Sequence, residues 1–151
     1  MFWSPRLSAV LHLLLHMAER PDVPMTSDEM ASVIGTNPVV VRRTLAGLRR
    51  AGVVISEKGR GGGWRLARPL DRIALLEVER ALAATSEPVV PVTPPGCLVE
   101  RAVRNALLDA ETEARAVLDR RLAAVSLADI AADAEALGLP RGTPGRAAHG
   151  L

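Results

Sequence analysis

The sequence predicts a mainly α-helical chain interrupted once by a small β-hairpin, and three observations carry that expectation. Hydrophobic residues are 48% of the 151 but aromatics only 2%, so any core is built of Ala, Val and Leu, which suits close helix packing. Apolar residues recur at spacings of three and four through most of the chain. The stretch that breaks this rhythm, Val53 to Ala67, is a pair of short β-prone runs around a glycine cluster. A chain of this length holds one modest domain, or one domain plus an appended dimerisation element, and not a large multi-part enzyme.

Leu7, Val10, Leu11, Leu14, Leu15 and Ala18 make the first apolar stripe, and Pro5 sits where a first helical turn tolerates it. The first helix is therefore expected from about Pro5 to Glu19, stopped by Pro21 and Pro24. Thr26 with Glu29 three residues later matches a capping box, and the helix it opens turns Met30, Ala31 and Ile34 inward and ends at Gly35. Asn37 and Pro38 are an N-cap and N1 pair for a third helix over Pro38 to Ala51, with Val41, Leu45 and Leu48 inward and Gly52 beyond its end. Only about three residues separate the second and third helices, the spacing of a helix-turn-helix.

Val53, Val54 and Ile55, then Trp64, Arg65, Leu66 and Ala67, flank Gly59, Gly61, Gly62 and Gly63 as the strands of a hairpin ended by Pro69. A fourth helix is expected from Ile73, Leu75, Leu76, Val78, Leu82 and Ala83. Pro88, Pro91, Pro94, Pro95 and Gly96 form a linker. From Cys97 to about Val125 there is no proline or glycine, and Glu100 with Arg104 and Glu111 with Arg115 are i,i+4 pairs, so one long helix is expected. Its stripe of Val99, Val103, Ala106, Ala110, Ala114 and Val117 is apolar but small, which lets another helix approach closely. Ser126 caps a last short helix through about Leu137. The expected organisation is a head over 1–84, a linker over 85–96, a long helix with a short capping helix over 97–137, and a disordered tail over 138–151. The sequence has no internal repeat.

Charge divides along the same line. Residues 1–70 hold 10 Lys and Arg against 5 Asp and Glu, net +5, while residues 71–151 hold 9 against 12, net −3. A basic front half favours a polyanionic partner for that half alone. No run approaches the roughly 18 apolar residues of a spanning helix, and Leu11 to Leu15, between His12 and His16, lacks a cleavage signal, so neither a membrane partner nor a secretory peptide is expected. A lone cysteine cannot form an intramolecular disulfide, and the cytoplasm is the expected compartment.

Three helices followed by a hairpin, in that order, is the winged helix-turn-helix layout, in which the third helix enters the major groove of double-stranded DNA and the wing reaches an adjacent groove or backbone. The N-terminal part of such a helix reads bases, so Val39, Arg42 and Arg43 are the base-reading candidates and Thr36 and Asn37 the phosphate-positioning ones. In the wing, Lys58, Arg60 and Arg65 surround glycines that permit close backbone approach to phosphates. Trp64 is read as a packing residue of the wing, with a DNA contact as the other reading. The glycines could mimic a nucleotide-binding loop, but no strand-to-helix frame and no following Lys-Ser/Thr pair accompany them. No nucleophile, base and orienting group assemble from these residues, so the chain is not expected to be an enzyme. The alternative to a DNA-binding regulator is a winged-helix module that recognises another protein.

Gly35 to Val41, Arg49-Arg50-Ala51-Gly52-Val53-Val54 and above all Gly61-Gly62-Gly63-Trp64-Arg65-Leu66-Ala67-Arg68-Pro69 resemble the Rrf-two (Rrf2) family of bacterial transcriptional regulators. Ile73-Ala74-Leu75-Leu76-Glu77-Val78 and Ser126-Leu127-Ala128-Asp129-Ile130 fit its pattern as well, so the resemblance covers about residues 6–137. It implies a homodimer joined by the long C-terminal helix, a palindromic promoter site, repression as the commoner behaviour, and DNA contacts from Arg6, Val39, Arg42, Arg43, Lys58 and Arg60. Many relatives carry a Glu-Gln type pair where this chain has Arg42 and Arg43, which points to a different operator.

Cluster-binding relatives place three cysteines in the region that is here Glu87 to Arg104, and this chain has only Cys97. One thiolate per protomer does not hold an iron-sulphur cluster in the usual way, so no cofactor is expected. Gly96-Cys97-Leu98-Val99 instead resembles the single-cysteine branch, for which Cys97 is a buried structural residue, a thiol sensor at a helix start, or a metal ligand. His12 and His16, at i,i+4, have a spacing that chelates metals, but no third ligand accompanies them and no metal site is expected. The sequence is silent on the operator, the regulated genes and any small-molecule effector.

Overall fold

The computed structural model describes residues 4–85 and 98–137; the expected linker beyond Thr85, Cys97 and the expected tail lie outside the described residues. Among the described residues six α-helices accompany one two-stranded antiparallel sheet: α1 (Pro5–Glu19), α2 (Ser27–Ile34), α3 (Pro38–Arg50), β1 (Val54–Glu57), β2 (Gly63–Leu66), α4 (Leu75–Ala83), α5 (Leu98–Ala123) and α6 (Leu127–Ala136). No helix among them is long and apolar enough to cross a membrane.

Local chemistry sets the helix ends where the sequence places them. The Thr26 hydroxyl accepts from the Glu29 amide at 3.2 Å while the Glu29 carboxylate accepts from the Thr26 amide at 2.6 Å, so two amides with no partner inside α2 are satisfied reciprocally. Gly35 ends α2 at φ 66°, a left-handed conformation that costs glycine least. Asn37 opens α3 by accepting from the Val39 and Val40 amides, both at 3.0 Å, and Pro38 occupies N1.

The three helices close around Val10, Leu13, Leu14 and Met17 of α1, Met30 of α2, and Val41, Leu45 and Leu48 of α3. Val53 and Val54 of the wing's base, Ile73 and Val78 complete this core. In the sheet Val54 faces Leu66, Ile55 faces Arg65, Ser56 faces Trp64 and Glu57 faces Gly63. Trp64 is buried rather than presented outward: its backbone pairs with Met25 on the sheet's outer side, N–H donating to the Met25 carbonyl at 2.8 Å, and its Nε1 donates to the Ser27 hydroxyl at 3.0 Å. The wing is thereby fixed to the start of α2. Gly62 and Gly63 are required by contact: a Cβ on Gly62 would lie 2.4 Å from the Glu57 carbonyl oxygen, and one on Gly63 2.5 Å from that of Met25.

Two features depart from the sequence reading. Leu70–Arg72 form a 3-10 turn, and Ile73 is extended and fully buried, so α4 begins at Leu75 rather than at Ile73. The cause is distant in the chain: the Leu127 amide donates to the Ile73 carbonyl at 2.9 Å and the Leu75 amide to the Val125 carbonyl at 2.9 Å. This pairing, with Leu127 wholly buried, inserts the start of α6 into the core of the head. The sequence groups this segment with the long helix.

Candidate nucleic-acid interface

α3 buries Val41, Thr44, Leu45, Gly47 and Leu48 and leaves Val39, Val40, Arg42, Arg43, Arg49 and Arg50 exposed. With about 100° between successive residues, Val39, Arg42 and Arg43 project from one face of its N-terminal half, Arg50 lies on that face farther along, and Val40 stands at its edge. The close α2–α3 turn, with the Thr36 amide donating to the Ala31 carbonyl at 2.9 Å, leaves Thr36 and Asn37 exposed just before this face. Asn37 uses its carbonyl oxygen on the α3 amides, which leaves its side-chain amide as the group able to meet a phosphate. Arg42 Nε donates to the Pro38 carbonyl at 3.2 Å, holding the guanidinium back over the first turn of α3. Arg49 Nη1 donates to the Ser56 hydroxyl at 3.1 Å and so ties the end of α3 to β1.

In the wing Lys58 and Arg60 are exposed on the turn between the strands, and neither has a partner among the described residues. The other two cations expected at DNA are held within the molecule. Arg65 pairs with the Glu57 carboxylate across the hairpin. Arg6 donates to the Leu82 carbonyl at 3.3 Å and to the Thr85 hydroxyl at 2.6 Å, where it caps the C-terminus of α4. Each sits half-buried beside an acceptor that local sequence does not place near it.

Arg68 is a positioning residue that the sequence reading used only as part of a motif. It pairs with Glu77 and donates to the carbonyls of Gly52 and Arg72, joining the exit of β2 to the entry of α4. Glu77 also accepts from the Ala74 amide at 3.0 Å, and the Arg68 hydrogen bond is the main reason its carboxyl titrates below the ordinary glutamate range. Gly47 approaches α4 so closely that a Cβ there would lie 3.0 Å from the Ala81 carbonyl oxygen, and 2.7 Å from the methyl of Thr85 just past the helix end. The back of the reading helix is thus seated on α4.

Beyond α4, Arg115 pairs with Glu79 at 2.7 Å and with Asp119 at 2.7 Å, and Arg80 pairs with Asp119 at 2.7 Å. These contacts define the side of α5 that meets the head. Helical periodicity places the predicted stripe of Val99, Val103, Ala106, Ala110, Ala114 and Val117 on the opposite side, all six exposed, with Leu107 extending it. Val103, Leu107 and Val117 each keep about half their surface in solvent, at 52%, 51% and 50%.

On the outer side of α1 the His12 and His16 rings stack, their Nε2 atoms 2.9 Å apart, and His16 Nδ1 lies 3.1 Å from the Glu19 carboxylate. Burial first, then the neighbouring His16, holds His12 below the ordinary histidine pKa, against the opposing pull of Glu19.

The Rrf2 family model, described as an iron-dependent transcriptional regulator, matches residues 3–133. YwnA of Bacillus subtilis (strain 168), a candidate HTH-type transcriptional regulator, is 34% identical over 129 residues, spanning 84% of this chain and 95% of YwnA. A candidate DNA-binding protein of known crystal structure is 31% identical, with a TM-score of 0.64 over 83% of this chain and 97% of its own. CymR, the global cysteine regulator of B. subtilis, superposes with a TM-score of 0.61 over 88% of this chain and 98% of CymR, at 22% identity, a likeness of fold. An iron or iron-sulphur group of the kind the family description implies needs several thiolate or imidazole donors. The chain has one cysteine and three histidines, and among the described residues no three His, Cys, Asp or Glu side chains converge, so the described donors do not fit such a group.

Proposed function

This chain belongs to the Rrf2 family of transcriptional regulators, not enzymes, and from that premise we propose that it is a homodimeric repressor that binds a palindromic promoter site. The observation that carries this reading is the exposed Val39, Arg42 and Arg43 face at the start of α3, joined through Arg49 and Ser56 to a wing that ends in exposed Lys58 and Arg60. Guanidiniums early on such a helix match the paired O6 and N7 acceptors of guanine, while cations on a glycine-rich turn meet phosphates whatever the sequence. The exposed stripe of α5, turned away from the ion pairs to α4, supports pairing with a second copy. A two-fold dimer presents two reading helices to two half-sites, which accounts for the palindrome.

Two substitutions test the roles separately. Arg42→Ala should cost about 1–3 kcal/mol on the selected sequence and far less on random DNA, so that discrimination falls. Lys58→Ala should weaken both alike and reduce the salt dependence. Equal effects of the two changes on both DNAs would contradict this assignment.

A further inference from the structure

We propose that Val39 is a specificity-determining residue that reads the 5-methyl group of a thymine in the operator half-site, beside a guanine taken by Arg42 or Arg43. This inference rests on the DNA-binding reading above and deepens it. Val39 is a β-branched residue at the second position of α3, 67% exposed, in the one part of that helix which enters the groove. Its backbone is fixed, because its own amide and the next donate to the Asn37 side-chain Oδ1 at 3.0 Å. Its χ1 is stiff, since a β-branched side chain in a helix keeps essentially one rotamer. Arg42 and Arg43, at i+3 and i+4, flank it on the same face, and the Arg42 bond to the Pro38 carbonyl leans that guanidinium toward the turn from which Val39 projects.

The chemistry that complements one rigid isopropyl group between two guanidiniums is specific. In the major groove the thymine methyl is the apolar group carried by the base edges, and guanine offers adjacent O6 and N7 acceptors. A cytosine at the thymine's position lacks the 5-methyl group, so the valine loses its apolar contact there. Val40, 46% exposed, stands about 100° around the helix from Val39 and does not share this face.

Deoxyuridine tests the contact, because it removes the methyl and leaves every hydrogen-bonding group of thymine in place. A sequence is first selected by the full-length wild-type protein from random duplex DNA, and each thymine is then replaced singly by deoxyuridine. At one position in each half-site, wild-type binding should weaken about fourfold, the equivalent of one buried methyl. Val39→Ala, an exposed change with no core contact to lose, should bind the thymine and uracil duplexes equally at that position and keep the wild-type response to salt. Two results overturn the proposal while leaving sequence-specific DNA binding intact: no thymine whose methyl matters, or a Val39→Ala protein that retains the fourfold difference. If no sequence is enriched at all, the DNA-binding reading itself fails and the proposal falls with it.

Discussion

At the scale of the residue, the polar contacts differ in reach. Thr26 with Glu29, Ser126 with Asp129, and Asn37 with its first-turn amides close within one helical turn. Arg6 and Arg65 meet Leu82, Thr85 and Glu57 only because the fold brings them together. The capping carboxylate also carries a pH signature. The Thr26 backbone hydrogen bond, more than any other cause, holds the Glu29 carboxyl below the ordinary glutamate range. A depressed carboxyl stabilises the fold above the unfolded pKa and loses that contribution as pH falls through the folded one. Glu29→Gln keeps the shape and an amide acceptor while removing the charge, so urea midpoints should place it below wild type at pH 7, with the gap closing below the folded pKa. Thr26→Ala should cost about 1 kcal/mol. A gap that stays constant with pH would show that charge is not what Glu29 contributes.

At the scale of the element, α2 and α3 were predictable because stripe, cap and stop signal agree for each, and α1 because its stripe opens on Pro5 and stops before Pro21. The start of α4 was misplaced because Ile73 looks like the first residue of its stripe, yet an extended pairing with Leu127, from far along the chain, holds it out of the helix. In the wing Gly62 and Gly63 leave room for the chain's own carbonyls, while Gly59 and Gly61 border open space. Six positions of the α5 stripe were legible as a periodic row, and Leu107 was missed beside them since the pattern sought small residues. Its proposed role makes a direct prediction. Val103→Glu combined with Ala110→Glu adds like charges along a row that is exposed in the single chain, so the head should stay folded by circular dichroism. Sedimentation should shift from dimer to monomer, and DNA affinity should fall at least tenfold as one half-site is lost. A dimer that persists unchanged would remove α5 from the interface.

At the scale of the whole molecule, the fold holds two surfaces apart on one rigid support. The α3 face and the wing lie on one part of the head, braced from behind by α4 through Gly47 and Thr85. α5 is fastened to α4 by Arg80, Arg115, Glu79 and Asp119, with its apolar stripe turned away. The charge division of the sequence, +5 over residues 1–70 and −3 over 71–151, accords with the proposal that the front half is the one that meets a polyanion. How the halves are joined was not legible, because the ion pairs and the insertion of Leu127 depend on residues tens of positions apart. The most direct test of the account is fluorescence anisotropy of the wild-type protein on a selected duplex, with random DNA as competitor, across a series of salt concentrations. The account predicts preference for the selected duplex and an affinity that falls steeply and log-linearly with salt, as counterions are released from several phosphates. Affinity indifferent to salt, or no preference over random DNA, would contradict it and favour a winged-helix surface made for another protein.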